Sequence, residues 1–581
     1  MSAHIDAPLD ARTLVDIARF RAAATPDELA YRFLIDGELE GPGLTYSQLD
    51  RQARAIARNI LKLAGPGDRA ILLYEPGIEF IPALLGCFYA GVVAVPAYPP
   101  RLDRLAQGWT ALSRLVADCT PAIGLSTADL MPLFEKVQYP RPGGSPLPWL
   151  ATNQVVADDG LDWNQPVIDP NQTAFLQYTS GSTNVPRGVI VTHANLLHNE
   201  RMWEAAAEHS GPGLGVCWLP LHHDMGLIGG VLQGLYHGSP IIMMSPLSML
   251  QRPARWLAAI SKYRADTSGG PNFAYDLCVN RISVEEKRDL DLSKWSIACI
   301  GAEPINPGTL ARFTEAFASC GFRAEAFYPS YGLAEGTLFV AGGAKSARPI
   351  VRSFSVISLE MGTPLPVGAE DSEGRTLVGC GHAWMGQTIA IVDPATCARL
   401  LDGKIGEVWV HGPSVAQGYW NRTDETEQTF AGQIVDDSAK PYLRTGDLGF
   451  LLEGELFVTG RCKEVLIIRG RNYYPQDLEA TVQARNPAFK PGAGAAFEVS
   501  SGESSKLVIA QELDRKLGRG LDLPQLAGDI RQAVAEAHAL QVHDVVFLEP
   551  GSLPKTTSGK IQRYVCRREY EANALRRWKQ K

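Results

Sequence analysis

Residues 177–189, QYTSGSTNVPRGV, place five small hydroxyl and glycine residues in succession: Thr179, Ser180, Gly181, Ser182 and Thr183. None has a side chain large enough to keep a ligand off the backbone. Such a run can aim several N–H groups and hydroxyls at phosphate oxygens, with Gly181 free to take the positive φ of a tight anion nest. Arg187 adds a cation near the end of the loop. No Gly-Lys-Ser/Thr follows at Walker spacing, so the run is not that motif. Taken alone it also reads as a Ser/Gly-rich surface turn.

Other stretches offer complementary chemistry. Trp218 to Leu227, WLPLHHDMGL, brings His222, His223 and Asp224 together as if for a metal. Adjacent histidines point different ways on any regular element, and no third and fourth ligand recur, so a pocket wall is the better reading. Gly226 to Leu235, with Met225 before it and Gly230 within it, is glycine-rich and apolar. It reads as a slot for a greasy chain or as a plain buried helix. Gly301-Ala302-Glu303-Pro304 ends an apolar strand, Ile297 to Ile300, in a turn that could present backbone to a planar base. In FYPSYGLAEG, residues 327–336, Ser330, Tyr331 and Gly332 place a ring where it could stack on that base. Glu335 follows where a carboxylate could hold Mg²⁺, though alone it reads as a surface or capping residue. Asp447 is expected in a turn suited to ribose hydroxyls, and Arg461 follows a hairpin around Gly454; each alone is an ordinary β-turn. Lys560 follows a hydroxyl-rich loop, a candidate point charge for a reacting phosphate and carboxylate.

These residues need a scaffold, and the pattern predicts an α/β one. Leu14 to Ala24 reads as a helix, and Leu29 to Ile35 as a strand closed by Asp36 and Gly37. Thr45 is a suitable N-cap for a helix from Gln48 to Leu63, which Pro66-Gly67 breaks. Ala70 to Tyr74, a helical stretch to Ala90 and Val92 to Val95 form a strand–helix–strand unit of a parallel sheet. Phe175 and Leu176 lead into the Thr179 loop, which would lie at a strand's carboxyl end. Thr192 to Ala205 is expected to be the helix after a phosphate loop. Ile350 to Trp420 turns to short strands rich in Gly and Pro, and Arg567 to Lys581 reads as a basic helical tail.

Composition bounds the function. At 581 residues the chain should hold a few domains, and 45% hydrophobic with 20% charged residues is ordinary for a soluble enzyme. A net charge of −8 gives no nucleic-acid footprint. No apolar run is long enough to span a bilayer, and the N-terminus lacks a signal-peptide core. Ten scattered cysteines without a CxxC pair suggest reduced thiols in a cytoplasmic protein.

In their order, Leu44-Thr45-Tyr46, the Thr179 to Gly188 loop, Tyr331 to Glu335, Arg444 to Asp447, Arg461 and the Lys560 tail resemble the adenylate-forming superfamily. That superfamily holds acyl-CoA synthetases, luciferases and peptide-synthetase adenylation domains, and the likeness covers about Leu14 to Arg563. VPAYPP (Val95 to Pro100), LPLHHDMGL (Leu219 to Leu227), GAEP (Gly301 to Pro304) and RGRNYYPQDLE (Arg469 to Glu479) look most like the fatty acyl-AMP ligases. So does an extra segment, roughly 348–379, which in that family goes with failure to use coenzyme A. Asn184 and Arg187 stand where the wider superfamily has Gly and Lys, and Cys462 between Arg461 and Lys463 blurs the pivot between domains.

The resemblance implies a large N-terminal domain, 1–462, of two α/β subdomains plus a β-barrel-like subdomain at about 350–462. A small mobile α+β domain, 463–581, would carry Lys560. It implies ATP and Mg²⁺ as cofactors and a medium- or long-chain fatty acid as substrate. The expected partner is an acyl carrier protein of a polyketide, peptide or lipid pathway. By the same resemblance Thr179 to Thr183 and Arg187 hold the β- and γ-phosphates, and Glu335 the metal. Gly301 to Glu303 and Ser330 to Gly332 hold the base, Asp447 and Arg461 the ribose. His223 to Gly226 and Gly230 meet the acyl chain, and Lys560 the reacting charge. The nearest rival is an acyl-CoA ligase. An amino-acid adenylation domain, with Asp224 taking the α-amino group, and a catalytically silent acyl-adenylate binder are the others.

Overall fold

The computed structural model describes residues 5–579 apart from 101–104, 136–145, 158–162, 181–185, 210, 212, 372–373, 436, 469–470, 502–503, 539 and 557–559. Two mostly parallel sheets carry the first two-thirds of the chain. One has six strands, in the order Trp149–Ala151, Ile123–Ser126, Arg69–Leu73, Val93–Ala97, Thr173–Ser180 and Pro186–Thr192. The other has nine, with Gly215–Cys217, Thr267–Gly269, Ile297–Ile300 and Phe327–Gly332 running parallel through its centre. Central strands of such sheets are buried on both faces and so read as continuous apolar runs. Arg69–Leu73 is buried from Ala70 onward, and every residue of the helix Phe80–Ala90 that crosses to Val93–Ala97 is buried.

Local signals set several boundaries. Leu14–Ala24 and Leu29–Ile35 form where the pattern places them. Thr45 caps the helix Tyr46–Ile60 reciprocally: its hydroxyl accepts Gln48 N at 3.3 Å and Gln48 Oε1 accepts Thr45 N at 2.9 Å. Such a cap contributes about 1 kcal/mol, enough to start the helix two residues earlier than apolar periodicity alone suggests.

Two expectations are corrected. The helix His193–Ala206 does not follow the Thr179 loop directly. Pro186–Thr192 returns antiparallel to Thr173–Ser180, Thr179 opposite Arg187, so a strand stands between the Thr179 run and that helix. The tail is helical only over Arg563–Glu571. Beyond it, Glu549 N donates to Arg576 O at 3.1 Å and Trp578 N to Phe547 O at 2.8 Å, so residues 576–578 lie extended beside the strand Val542–Leu548.

The expected β-rich region is two separate sheets. Val351–Ser355, Pro366–Val367 and Gly374–Val378 make one of three strands within the extra segment; Thr388–Val392, Gly406–His411, Gly432–Ile434, Asp437–Leu452 and Glu455–Arg461 make one of five. The last two of these form a hairpin at Glu453-Gly454, φ +54° and +82°. After residue 463 a small hairpin and a three-stranded sheet, Phe489–Ser501, Ser504–Leu513 and Val542–Leu548, pack on Pro475–Gln483 and Leu523–His538 around their own core of Leu478, Val482, Ile509 and Ile530. No helix among the described residues is long and apolar enough to cross a membrane, and all ten cysteines are free thiols.

Candidate active site

The carboxyl ends of the strands are the usual place for ligands in open α/β sheets. Thr179 stands at the end of Thr173–Ser180; Gly181, Ser182 and Thr183, like the side chain of Ser180, lie outside the described residues. Residues 416–420 run alongside Pro186–Thr192: Gln417 N donates to Ile190 O at 3.0 Å and Trp420 N to Gly188 O at 2.8 Å. That pairing carries Tyr419 to Glu335, whose Oε1 accepts the Tyr419 hydroxyl at 2.7 Å. The Tyr419 ring also lies 5.4 Å from the Arg187 guanidinium. Arg187 itself pairs with Glu425 at 2.7 Å, so it is already held by a carboxylate at the hairpin.

Tyr331, Asp447 and Arg461 form one cluster. The Tyr331 hydroxyl donates to Asp447 Oδ2 at 2.8 Å and Arg461 Nε to Oδ1 at 2.8 Å. Asp447 sits in the strand Asp437–Leu452, directly opposite Arg461, rather than in the expected turn; Gly446 beside it takes φ +71°. The Asp447 side chain is 8% exposed and that of Arg461 58%, so the carboxylate is fixed and the guanidinium reaches outward. Asp447 holds the Arg461 guanidinium well above its usual range. Burial first, and then Asp447, push the Tyr331 phenol well up, so it stays a neutral donor. The Tyr331 ring packs with Leu333, Val340 and Val408.

The turn after Ile297–Ile300 is shaped by strain and a buried acid. Ala302 takes φ +66°, a region non-glycine residues rarely occupy and one that clusters at functional sites. Glu303 Oε1 accepts Asn272 N at 3.0 Å and Nδ2 at 2.9 Å. Burial raises the Glu303 carboxyl, opposed by Asn272 and by the ammonium groups of Lys560 and Lys555. Lys560 likewise adds to the burial that keeps His223 neutral, against the pull of Asp224. The field of Lys560, from the small region after residue 463, thus reaches both Glu303 and His223.

The His222 and His223 rings lie 4.7 Å apart, tilted by 43°, and Gln177 Nε2 donates to His222 O at 2.7 Å, tying this segment to the strand before the loop. Burial pushes the His222 imidazole down to about 3 and that of His193 to about 4. Both are neutral when folded and titrate near 6.5 when unfolded. Above that pH neither state binds a proton there. As pH falls toward 4 the unfolded chain takes up protons the folded one refuses, costing about 1.4 kcal/mol per pH unit for each group. Thermal unfolding should thus move to lower temperature between about pH 6.5 and about pH 4, less steeply in His193→Gln; an identical slope in that variant contradicts the assignment.

Asp224 Oδ1 accepts Met225 N at 2.8 Å and heads a wide π-helix, Met225–Leu232, that passes into Gln233–His237. Helical bulges of this type favour functional sites. A Cβ on Gly226 would meet Pro220 O at 2.3 Å and one on Gly230 would meet Cys217 Sγ at 2.5 Å, so these glycines let the helix press against the chain beneath it.

Contacts thus join Thr179 to Arg187 across the strand pair, Arg187 to Glu335 through Tyr419, and Tyr331 to Asp447 and Arg461. Sequence reading missed Tyr419, which links Glu335 to Arg187; its place depends on strand pairing across more than 200 residues, and no local spacing announces it.

The AMP-binding enzyme family matches residues 19–420. The chain belongs to this family. A second family, described as the Disco-interacting protein 2-like AMP domain, matches residues 463–580. Within the AMP-binding enzymes the chain falls among the fatty acyl-AMP ligases. It is 41% identical to the medium-chain-fatty-acid–[acyl-carrier-protein] ligase JamA of Moorena producens, over 97% of this chain and 96% of that protein. A fatty acyl-adenylate ligase of Legionella pneumophila, solved with acyl adenylate and pyrophosphate, is 41% identical over 97% of both chains, TM-score 0.76. A structure from work on fatty acyl-adenylate ligases of Escherichia coli and L. pneumophila matches at 33% identity over 97% of this chain and 99% of that one, TM-score 0.88. The fold is that of the adenylate-forming enzymes, and family members use ATP.

Proposed function

We propose that this enzyme activates a medium- or long-chain fatty acid with ATP and passes the acyl group to the phosphopantetheine thiol of an acyl carrier protein. In the first step a carboxylate oxygen of the fatty acid bonds to the α-phosphorus of ATP. The bond from that phosphorus to the bridging oxygen breaks, and pyrophosphate leaves with the electron pair. In the second the thiol sulfur bonds to the acyl carbon, AMP leaves, and the thiol proton passes to solvent. What supports this reading is the cluster in which Tyr331 and Arg461 both donate to Asp447 at 2.8 Å, with Glu335 bound through Tyr419 to the strand that carries Arg187.

The residues divide the first step by charge. The Thr179 to Thr183 loop and Arg187 take the β- and γ-phosphates. Asp447 takes the ribose hydroxyls beside Arg461, and the backbone of 301–303 with Ser330 to Gly332 takes the base. His223 to Gly226 and Gly230 guide the acyl chain in, while Lys560 steadies the charge shared by carboxylate and α-phosphate. Mg²⁺ fits Glu335. No group of three or more His, Cys, Asp or Glu among the described residues could hold a metal, and Mg²⁺ ordinarily takes one or two carboxylates plus substrate phosphates and water. When bound it would neutralise phosphate charge. The fatty acid must be kept dry at its carboxylate, for which neutral His222 and His223 are suited.

We place the domain boundary at the turn 461–464, with residues 1–462 as the adenylating domain and 463–581 as the mobile one. The extra segment reaches the mobile domain: Arg375 Nε pairs with Asp477 at 2.9 Å, the Arg375 guanidinium lies 4.8 Å from the Tyr474 ring centre, and Glu360 lies 3.8 Å from Arg471. These contacts favour a carrier protein over free coenzyme A, the runner-up acceptor. Free thiols throughout suit a cytosolic location. The test is pyrophosphate release with ATP and Mg²⁺ across straight-chain acids from octanoate to palmitate. Release that requires the acid, with acyl-AMP as product, supports the reading; ATP turnover indifferent to every acid overturns it.

A further inference from the structure

The Lys560 loop is tied to the interdomain turn by a buried ionic cluster that the reading above leaves unused. Arg563 donates Nε and Nη2 to the two oxygens of Glu479, each at 2.7 Å, and Nη1 to Glu464 Oε2 at 2.6 Å. The Arg563, Glu479 and Glu464 side chains are 12%, 7% and 28% exposed. Glu479 Oε1 also accepts Ala496 N at 2.9 Å. Glu479 alone thus holds Arg563 in the core of the small domain, with bidentate geometry and a backbone donor. A second carboxylate on one guanidinium adds repulsion between the acids, and burial already pushes the Glu479 carboxyl up. Packing does not require Glu464 there.

Its position in the chain gives it another use. Glu464 N and Val465 N donate to Arg461 O at 3.0 and 3.2 Å, and Cys462 N donates to Gly446 O at 2.9 Å. Arg461 in turn bonds Asp447. A chain of bonds therefore runs from the Asp447–Arg461 pair, through the turn, to Arg563. On the far side the Lys560 loop is closed at its neck. Lys555 bridges Ile561, Gln562 N donates to Pro554 O at 2.9 Å and Thr556 N to Lys560 O at 2.8 Å. A loop with a stiff neck points where its base points, and Arg563 is the base.

We propose that Glu464 is a positioning residue for adenylate formation: through Arg563 it fixes the angle at which the turn presents the Lys560 loop to the site. This rests on the role given to Lys560 above. The lever is needed when Lys560 must meet the α-phosphate, since small misplacements of a charged group cost rate steeply.

The test compares Glu464→Ala, Glu464→Gln and Lys560→Ala in the full chain, with ATP, Mg²⁺ and dodecanoate. Glu464→Ala should lower kcat for pyrophosphate release about 10- to 100-fold, with the KM for ATP and the unfolding temperature close to those of the parent. Glu464→Gln, which can still accept from Arg563, should recover most of the rate. Unchanged kcat in Glu464→Ala, or kcat, KM and unfolding temperature worsening together without rescue by Gln, overturns the lever. If Lys560→Ala is silent while Glu464→Ala is active, only the lever fails. If Lys560→Ala keeps the parent rate, the Lys560 role fails and the lever with it.

Discussion

Lys560→Ala should lower fatty-acid-dependent pyrophosphate release about 100- to 1,000-fold while leaving ATP binding within about twofold of the parent. The asymmetry follows from where charge appears. In the proposed ground state the Thr179 loop and Arg187 hold the triphosphate and the Asp447–Arg461 pair the ribose, and none of these depends on Lys560. As the carboxylate oxygen approaches the α-phosphorus, negative charge from two anions is drawn together, and a nearby ammonium stabilises that arrangement more than either reactant alone. The field of Lys560 lowers the Glu303 carboxyl and the His223 imidazole, as a cation near that turn would. Lys560→Arg should not restore the rate fully, since a planar fork replaces a compact point charge. Pyrophosphate release and nucleotide titration on the same preparations check this; equal losses in both would make Lys560 a binding residue.

Asp447→Ala should act oppositely, lowering kcat/KM for ATP about 30- to 1,000-fold, chiefly through KM. Asp447 is the shared acceptor of Tyr331 and Arg461, each at 2.8 Å. Its removal leaves a buried hydroxyl and a guanidinium without their partner, and removes the acceptor proposed for the ribose. Truncating one member of such a pair costs about 3–5 kcal/mol where it is buried. Asp447→Asn keeps one acceptor oxygen but loses the charge that balances Arg461, so it should fall between. Steady-state kinetics in ATP, with the fatty acid saturating, separate the two parameters. An unchanged KM would remove Asp447 from the nucleotide site.

The sequence reveals most where the controlling physics is local. Leu14–Ala24, Thr45 as a cap and the turn at Asp36-Gly37 depend on neighbours within a few residues, and they stand as read. The ordered motifs made the family and fold legible because each is a short stretch whose residue types suit one piece of a nucleotide. What could not be read depends on distant partners. Pro186–Thr192 is a strand because it pairs with both Thr173–Ser180 and residues 416–420, so the helix begins only at His193. Asp447 looked like a turn residue until its strand found Arg461 opposite. The close packing of Gly226 on Pro220 and of Gly230 on Cys217 likewise depends on how the chain folds back on itself. Tyr419, Glu464 and Arg563 carry no spacing signal, since each meets its partner across 15 or more residues of chain; the Arg563–Glu464 bond spans 99.

As proposed, this enzyme makes an acyl-adenylate and keeps it for a carrier-borne thiol. Product analysis with ATP, Mg²⁺ and dodecanoate, in the presence of either coenzyme A or a phosphopantetheinylated acyl carrier protein, tests it directly. Acyl-AMP that persists with coenzyme A and is consumed with the carrier protein is the predicted result. Rapid conversion to acyl-CoA would contradict it and make the enzyme an acyl-CoA ligase, the Arg375–Asp477 contact notwithstanding.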